Sequence, residues 1–272
     1  MKVLTSSEIL EKVSDSSIAK ANSSVTKLFL LAVLAGAFIA FGAEGSTLAS
    51  FNLTSNPATV GLGKFVAGMV FPVGLMLVVL CGAELFTGNC MMFAGVADKK
   101  IKLSGVFKNW AIVYLGNFVG AMIIVLCIHW SGQLDTGDGL LGAMTVKAAI
   151  GKCNLSFGRA FILGVLCNWL VCLAVWMATG ADNAAGKILA MWFVIMVFVL
   201  SGFEHSVANM YFIPAGILAA QNDAYVNLLS LDTSGLNVYG FVVKNLIPVT
   251  LGNIVGGGGF VAMFYWLIHR KA

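Results

Sequence analysis

The chain has 272 residues, of which 59% are hydrophobic and 10% charged, with a formal net charge of +4. A soluble globular domain carries about 25% charged residues, so a soluble core is excluded and a polytopic, all-α membrane protein is implied. A basic excess this small, with no aromatic patch interleaved with Lys and Arg, speaks against nucleic acid as a partner.

Residues 1–25 carry mixed charge and lack the early apolar core of a signal peptide. "TSSE" (Thr5 to Glu8) is a capping box. Behind it Ile9, Leu10, Val13 and Ile18 can share one helix face. The segment is expected to be a short amphipathic helix on the membrane surface. Residues 26–272 read as one transmembrane domain. Its apolar segments lie at about 27–47, 64–95, 105–129, 158–179, 187–218 and 240–268. About 20 residues suffice for one crossing. Segments two and five exceed 30 residues and contain polar interruptions, the pattern of tilted or broken helices.

One side of this arrangement takes Lys2, Lys12, Lys20, Lys27, Lys99, Lys100, Lys102, Lys108, Lys187, Arg270 and Lys271. The other takes Lys64, Lys147, Lys152, Arg159 and Lys244. The bias places both termini in the cytoplasm. The six cysteines fall mostly inside apolar runs and form no CxxC pair. They read as small buried hydrophobes, and no metal or cofactor is expected.

The chain repeats itself. "VLCGAELFTGNCM" (79–91) matches "VLSGFEHSVANMY" (199–211) at a lag of 120, which pairs Gly82, Glu84 and Asn89 with Gly202, Glu204 and Asn209. "KNWAIVYLGNFVG" (108–120) matches "KNLIPVTLGNIVG" (244–256) at a lag of 136. Lys27–Ala40 resembles Arg159–Cys172 at a lag of 132. Each half, about 26–130 and 157–268, is a three-span unit. An odd number of spans inverts the second half, so an inverted 3+3 repeat with broken helices 2 and 5 is expected. The breaks should face each other near the midplane. Helix ends there offer N–H groups and partial positive charge, which suits an anion.

The chain resembles the formate/nitrite transporter family of channels for formate, nitrite and hydrosulfide. The resemblance rests on "CGAELFTGN" (81–89), "CNWLVCLAVWM" (167–177), "SGFEHSVANM" (201–210) and "NLIPVTLGNIVGG" (245–257), and it covers nearly the whole chain. It implies an aquaporin-like protomer in a bacterial inner membrane, one pore per protomer, and a homopentamer. "IPAG" (213–216) and "NLIPVTLGN" resemble the formate branch most, which puts formate ahead of hydrosulfide and nitrite. Gly116/Gly120 and Gly252/Gly256 permit close helix contact without counting subunits.

His205 sits in the second break, whereas His129 and His269 lie at span ends. An imidazole exchanges protons near neutral pH, and the family's central pore histidine matches this position. The resemblance also implies that Phe71, Leu75 and Phe198 form apolar slits on either side of His205. It sets the Thr87 hydroxyl opposite His205 and Asn168 near one slit. Asn117 and Asn253, paired by the repeat, read as structural helix–helix hydrogen bonds. Glu84 and Glu204 each need a cation if ionised. The family suggests the sets Lys20–Glu84–Asn89 and Lys152–Glu204–Asn209, which shape the breaks and draw anions, with Lys147 as the alternative to Lys152. The expected mechanism is passage of a weak-acid anion that picks up a proton near His205. A water- or glycerol-like channel is the competing class, but paired NPA-type motifs are missing. An enzyme is not expected: Glu204–His205 has no HExxH and no nucleophile partner.

Overall fold

The structure is a computed structural model and describes residues 3–270. Lys2 and Lys271, counted above for orientation, lie outside the described residues. Helix α1 (Ser6–Asn22) starts at the expected capping box, with the Glu8 N–H on Thr5 Oγ1 at 3.3 Å and the Thr5 N–H on Glu8 Oε2 at 2.7 Å. Its apolar face is not laid on lipid. Ile9, Leu10 and Val13 are buried with Met91, Cys172, Trp176 and Val261, while Ile18 points away and is exposed. A surface placement needs an open apolar stripe, and this one is covered by protein.

Ion pairs hold α1 in place. Lys100 reaches Glu11 at 3.0 Å and Asp15 at 2.6 Å, and Arg270 pairs with Glu11 and Asp98. Ser14 and Trp266 donate to Asp98 at 2.6 and 2.8 Å. The hydrogen bonds from Arg270 and Lys100 hold the Glu11 carboxyl below its ordinary range.

The long helices are α2 (Val25–Ser55), α3 and α4 (Val60–Val70 and Val73–Leu80), α6 (Leu103–Trp130), α8 (Phe157–Gly180) and α12 (Gly240–Arg270), with α5 (Phe86–Ala97) between α4 and α6. Among the described residues, five runs are long and apolar enough to cross a membrane, Val60–Leu80 counting as one. The expected fifth segment, 187–218, is two shorter helices, α9 (Ala184–Leu200) and α10 (Ser206–Ala219). A helix between the two halves was not foreseen. It is α7 (Leu140–Cys153), 14 residues long and carrying Lys147 and Lys152, too short and too charged to read as a span. A short α11 (Asp223–Leu228) follows α10.

α2 packs along α6, and α8 along α12. Both crossings need glycine. A Cβ on Gly120 would lie 1.9 Å from the Val33 carbonyl oxygen, and one on Gly256 would lie 2.3 Å from that of Val165. The expected glycine faces therefore serve contacts inside the chain. α3, α4, α9 and α10 fill the space between the two pairs.

Candidate functional site

The chain leaves helical geometry twice in the same way. α4 ends at Leu80 and Gly82 takes φ +77°; α9 ends at Leu200 and Gly202 takes φ +69°. Left-handed backbone is strained for any residue with a Cβ, so glycine permits each break. The freed backbone groups then find matched partners. The Glu84 N–H bonds to the Leu31 carbonyl and the Glu204 N–H to the Leu163 carbonyl, both at 3.2 Å. Asn117 Oδ1 accepts from the Phe86 N–H at 2.9 Å, and its amide donates to the carbonyls of Ala32 and Glu84. Asn253 does the same for the Ser206 N–H and the carbonyls of Gly164 and Glu204.

Each break carries a carboxylate network. Lys20, in the last turn of α1, donates at 2.8 Å to both Glu84 oxygens and to Asn89 Oδ1. Asn89 donates to Glu84 at 2.7 Å and to Asn109 at 2.8 Å. Lys152, in the last turn of α7, donates to Glu204 at 2.8 Å and stands 5.1 Å from the centre of the Phe212 ring. Asn209 donates to Glu204 at 2.6 Å and to Asn245 at 2.7 Å. The alternative cation, Lys147, is not in the network. The two sets differ at the lysine, which bonds both oxygens of Glu84 but only one of Glu204. Lys152 does not reach Asn209, whose Oδ1 is buried without a partner.

The two breaks meet at one hydrogen bond. His205 Nε2 lies 2.9 Å from Thr87 Oγ1, and both side chains are buried. His205 Nδ1 accepts the Ala208 N–H at 2.9 Å and so caps α10. That bond assigns the ring hydrogen to Nε2, which donates to Thr87. Asn168 donates to the carbonyls of Thr87 and Asn253 at 3.0 and 2.7 Å. It braces Thr87 from behind.

Two cavities lead along this line. One of about 290 Å³ opens beside α1, lined by Lys12, Lys20, Leu75, Glu84, Leu85 and Asn89 among others. A void of about 10 Å³ lies deeper, against Ile39, Phe71, Leu75, Leu85, Phe198 and His205. Leu75 and Leu85 border both, so they form the apolar neck between them. Phe71 and Phe198 meet edge to face with centroids 5.4 Å apart, and Phe198 stands 6.1 Å from the imidazole.

The formate/nitrite transporter family model matches residues 7–267. The chain belongs to the formate/nitrite transporter family. It is 43% identical to a probable formate transporter of Methanothermobacter thermautotrophicus, over 93% of this chain and 92% of that one. It is 38% identical to the formate channel FocA of Escherichia coli (strain K12), over 94% and 91%. A solved pentameric formate channel with formate bound superposes with a TM-score of 0.81 at 37% identity, covering 91% of this chain and 98% of that one. A channel described as an FNT family ion channel gives 0.80 at 30% identity, covering 96% and 98%. With its apolar helices, the chain is an integral membrane protein of this transporter family, and the family is not enzymatic.

The structure brings Thr87, Phe71, Leu75, Phe198 and His205 to one line. Asn168 lies beside it with its amide hydrogens committed to carbonyls, and it lines neither cavity. Asn109, Asn245, Leu85 and Ile39 are further participants without a role in the sequence reading. Asn109 and Asn245 stand at corresponding places in "KNW" and "KNL" and close the two networks. The lag of 120 sets Leu85 at the place of His205, which is a signal for it, whereas Ile39 and its counterpart Val171 show themselves only by lining the small void.

Proposed function

We propose that this formate/nitrite transporter family member is a channel for a small monovalent weak-acid anion, with formate first and hydrosulfide and nitrite as the alternatives. The observation that carries the reading is the Thr87–His205 bond joining the two breaks inside an apolar line. A bare anion does not readily cross Phe71, Phe198 and Leu75. Lysines draw it to either end, and an acid proton makes it a neutral solute for the apolar stretch. Because Nδ1 is held by the helix cap, Nε2 is the nitrogen that meets the solute. Its single hydrogen, held by Thr87 at rest, is offered to the solute in Thr87's place, and the acid proton is taken up from water beside it.

The matched bonds support an inverted repeat: α2 corresponds to α8, α4 and α5 to α9 and α10, and α6 to α12. Lys20 and Lys152 extend it to α1 and α7, outside the halves read from sequence. The pore roles assigned to Thr87, Phe71, Leu75, Phe198 and Asn168 belong to this proposal. So do the anion-drawing roles of the Lys20–Glu84–Asn89 and Lys152–Glu204–Asn209 sets. The solved relative described as a pentameric formate channel supports a homopentamer and an anionic substrate. The lysine bias supports cytoplasmic termini, with α1 on the cytoplasmic side of the inner membrane.

Stopped-flow uptake into liposomes tests the proposal with formate, nitrite and hydrosulfide in parallel. Formate should enter fastest, and His205→Asn should cut its rate about tenfold or more and flatten its pH dependence. Unchanged rate and unchanged pH dependence in His205→Asn would end the proton role. Glycerol uptake that no anion inhibits would end the anion reading.

A further inference from the structure

The wall behind the path differs between the halves at one buried pair. Glu44 of α2 is 7% exposed, among the buried residues Ala40, Ala43 and Ser46. The Tyr211 hydroxyl of α10 donates to its Oε2. Its other oxygen, Oε1, is buried with no hydrogen-bond partner. The elements packed against α2 supply no cation to it. Lys152 of α7 is bonded to Glu204, and His205 of α10 to Thr87 and Ala208. Lys147 of α7, Lys64 of α3, and Lys108 and His129 of α6 make no ion pair or hydrogen bond with Glu44. α4 contributes only the Cys81 thiol at its end.

The opposite half shows what the fold itself needs there. The lag that pairs Leu31 with Leu163 pairs Glu44 with Trp176, and the lag that pairs Glu84 with Glu204 pairs Met91 with Tyr211. Trp176 and Met91 are buried in one apolar cluster. Apolar packing therefore satisfies this place, and a carboxyl is an addition to it. The place is also next to a path. Met91, Val175 and Thr179 line the cavity beside α1. Their counterparts are Tyr211, Ala43 and Thr47. By the repeat, the buried Tyr211 corresponds to a wall position on the α7 side, and Glu44 is bonded to it.

A carboxyl with one hydroxyl partner, one bare oxygen and no cation does not persist as a fixed charge in apolar surroundings. It binds a proton. We propose that Glu44, with Tyr211, is a proton-binding site in the wall of the α7-side approach, so that uptake follows pH through a second group besides His205. The inference rests on the path proposed above. A proton arriving from the path joins the tyrosine oxygen as the tyrosine's own proton passes to Oε2, and it leaves by the reverse exchange. Tyrosine is neutral before and after.

Infrared spectra of the purified full-length protein, titrated in H2O and D2O, read the carbonyl band of a protonated carboxyl directly. The wild type should show a buried-acid band that Glu44→Gln removes and Tyr211→Phe displaces. In liposomes the pH of half-maximal formate uptake should move by about one unit in both variants. Tyr211→Phe keeps the ring and removes only the hydroxyl, so it carries the test should Glu44→Gln fail to assemble. A band unchanged in both variants overturns the site. A band that responds while both uptake profiles stay at the wild-type position overturns the exchange with the path. If His205→Asn also leaves uptake unchanged, the path itself has been misread, and the infrared band still decides Glu44.

Discussion

The two breaks share a frame and divide the chemistry. Gly82 and Gly202, Glu84 and Glu204, and Asn117 and Asn253 perform the same bonds in each. The residue that follows each glutamate differs. Leu85 makes no side-chain cap on α5, whereas His205 caps α10 and reaches across to Thr87. What recurs is the set that satisfies backbone groups where a helix stops in an apolar medium, since each bare group there costs several kcal/mol. What does not recur is free to act on a solute. Where two breaks match bond for bond, departures from the match are the places to look for function.

The largest expected effect tests the shared frame. Asn117→Leu and Asn253→Leu each remove one acceptor and two donated hydrogen bonds from a buried break. Each should lower stability by roughly 3–9 kcal/mol, at about 1–3 kcal/mol for each of three bare groups. The two losses should agree within about 1 kcal/mol. Thermal unfolding in detergent measures both, and a large loss at one site alone would break the equivalence of the breaks.

The next effect sharpens the difference between the networks. Lys20 is saturated by three acceptors, while Lys152 makes one hydrogen bond and sits over the Phe212 ring. Lys152→Met should slow anion uptake about fivefold at low ionic strength, with the deficit shrinking as salt screens the approach. Lys20→Met should act chiefly on the order of the α1-side break, read as faster amide exchange at residues 82–89. Equal uptake deficits with equal salt dependence would show that the two lysines do the same job.

The smallest effect concerns what holds Lys20 in place. Hydrogen bonds from Arg270 and Lys100 keep the Glu11 carboxyl depressed. A depressed carboxyl contributes above its unfolded value and loses that contribution as pH falls through its folded one. Amide exchange across α1 should therefore quicken as pH drops below about 4. Glu11→Gln should show the quicker exchange already at neutral pH, and an α1 equally protected in both would remove the ion pairs from the account.

Much of the frame was legible because the repeat is written in identities. Glu84 with Asn89 and Glu204 with Asn209 announce the networks before any coordinates. Lys20 and Lys152 entered through the family resemblance, and the shared place at a helix end emerged only when α7 did. α7 passes neither for a span nor for a loop, and its apolar face is defined chiefly by α10, with α2, α11 and α12 also against it. Glu44 passed unnoticed for a related reason. A carboxyl in an apolar run is visible, and the lag of 132 sets it against Trp176, but that its neighbour is Tyr211 follows only from the packed pair. Asn168 shows the limit in the other direction: the family resemblance sets it near an apolar slit, and only geometry shows its hydrogens spent on carbonyls.

The Thr87–His205 bond has one donor and one acceptor from different halves of the molecule. A hydrogen bond weakens steeply once its heavy atoms separate beyond about 3.2 Å. Set at 2.9 Å, this one has little slack. Rocking of one half against the other would stretch it. The Nε2 resonance of an isotopically labelled His205 is therefore a built-in displacement sensor at the centre of the molecule, sensitive to sub-ångström shifts that leave every helix intact.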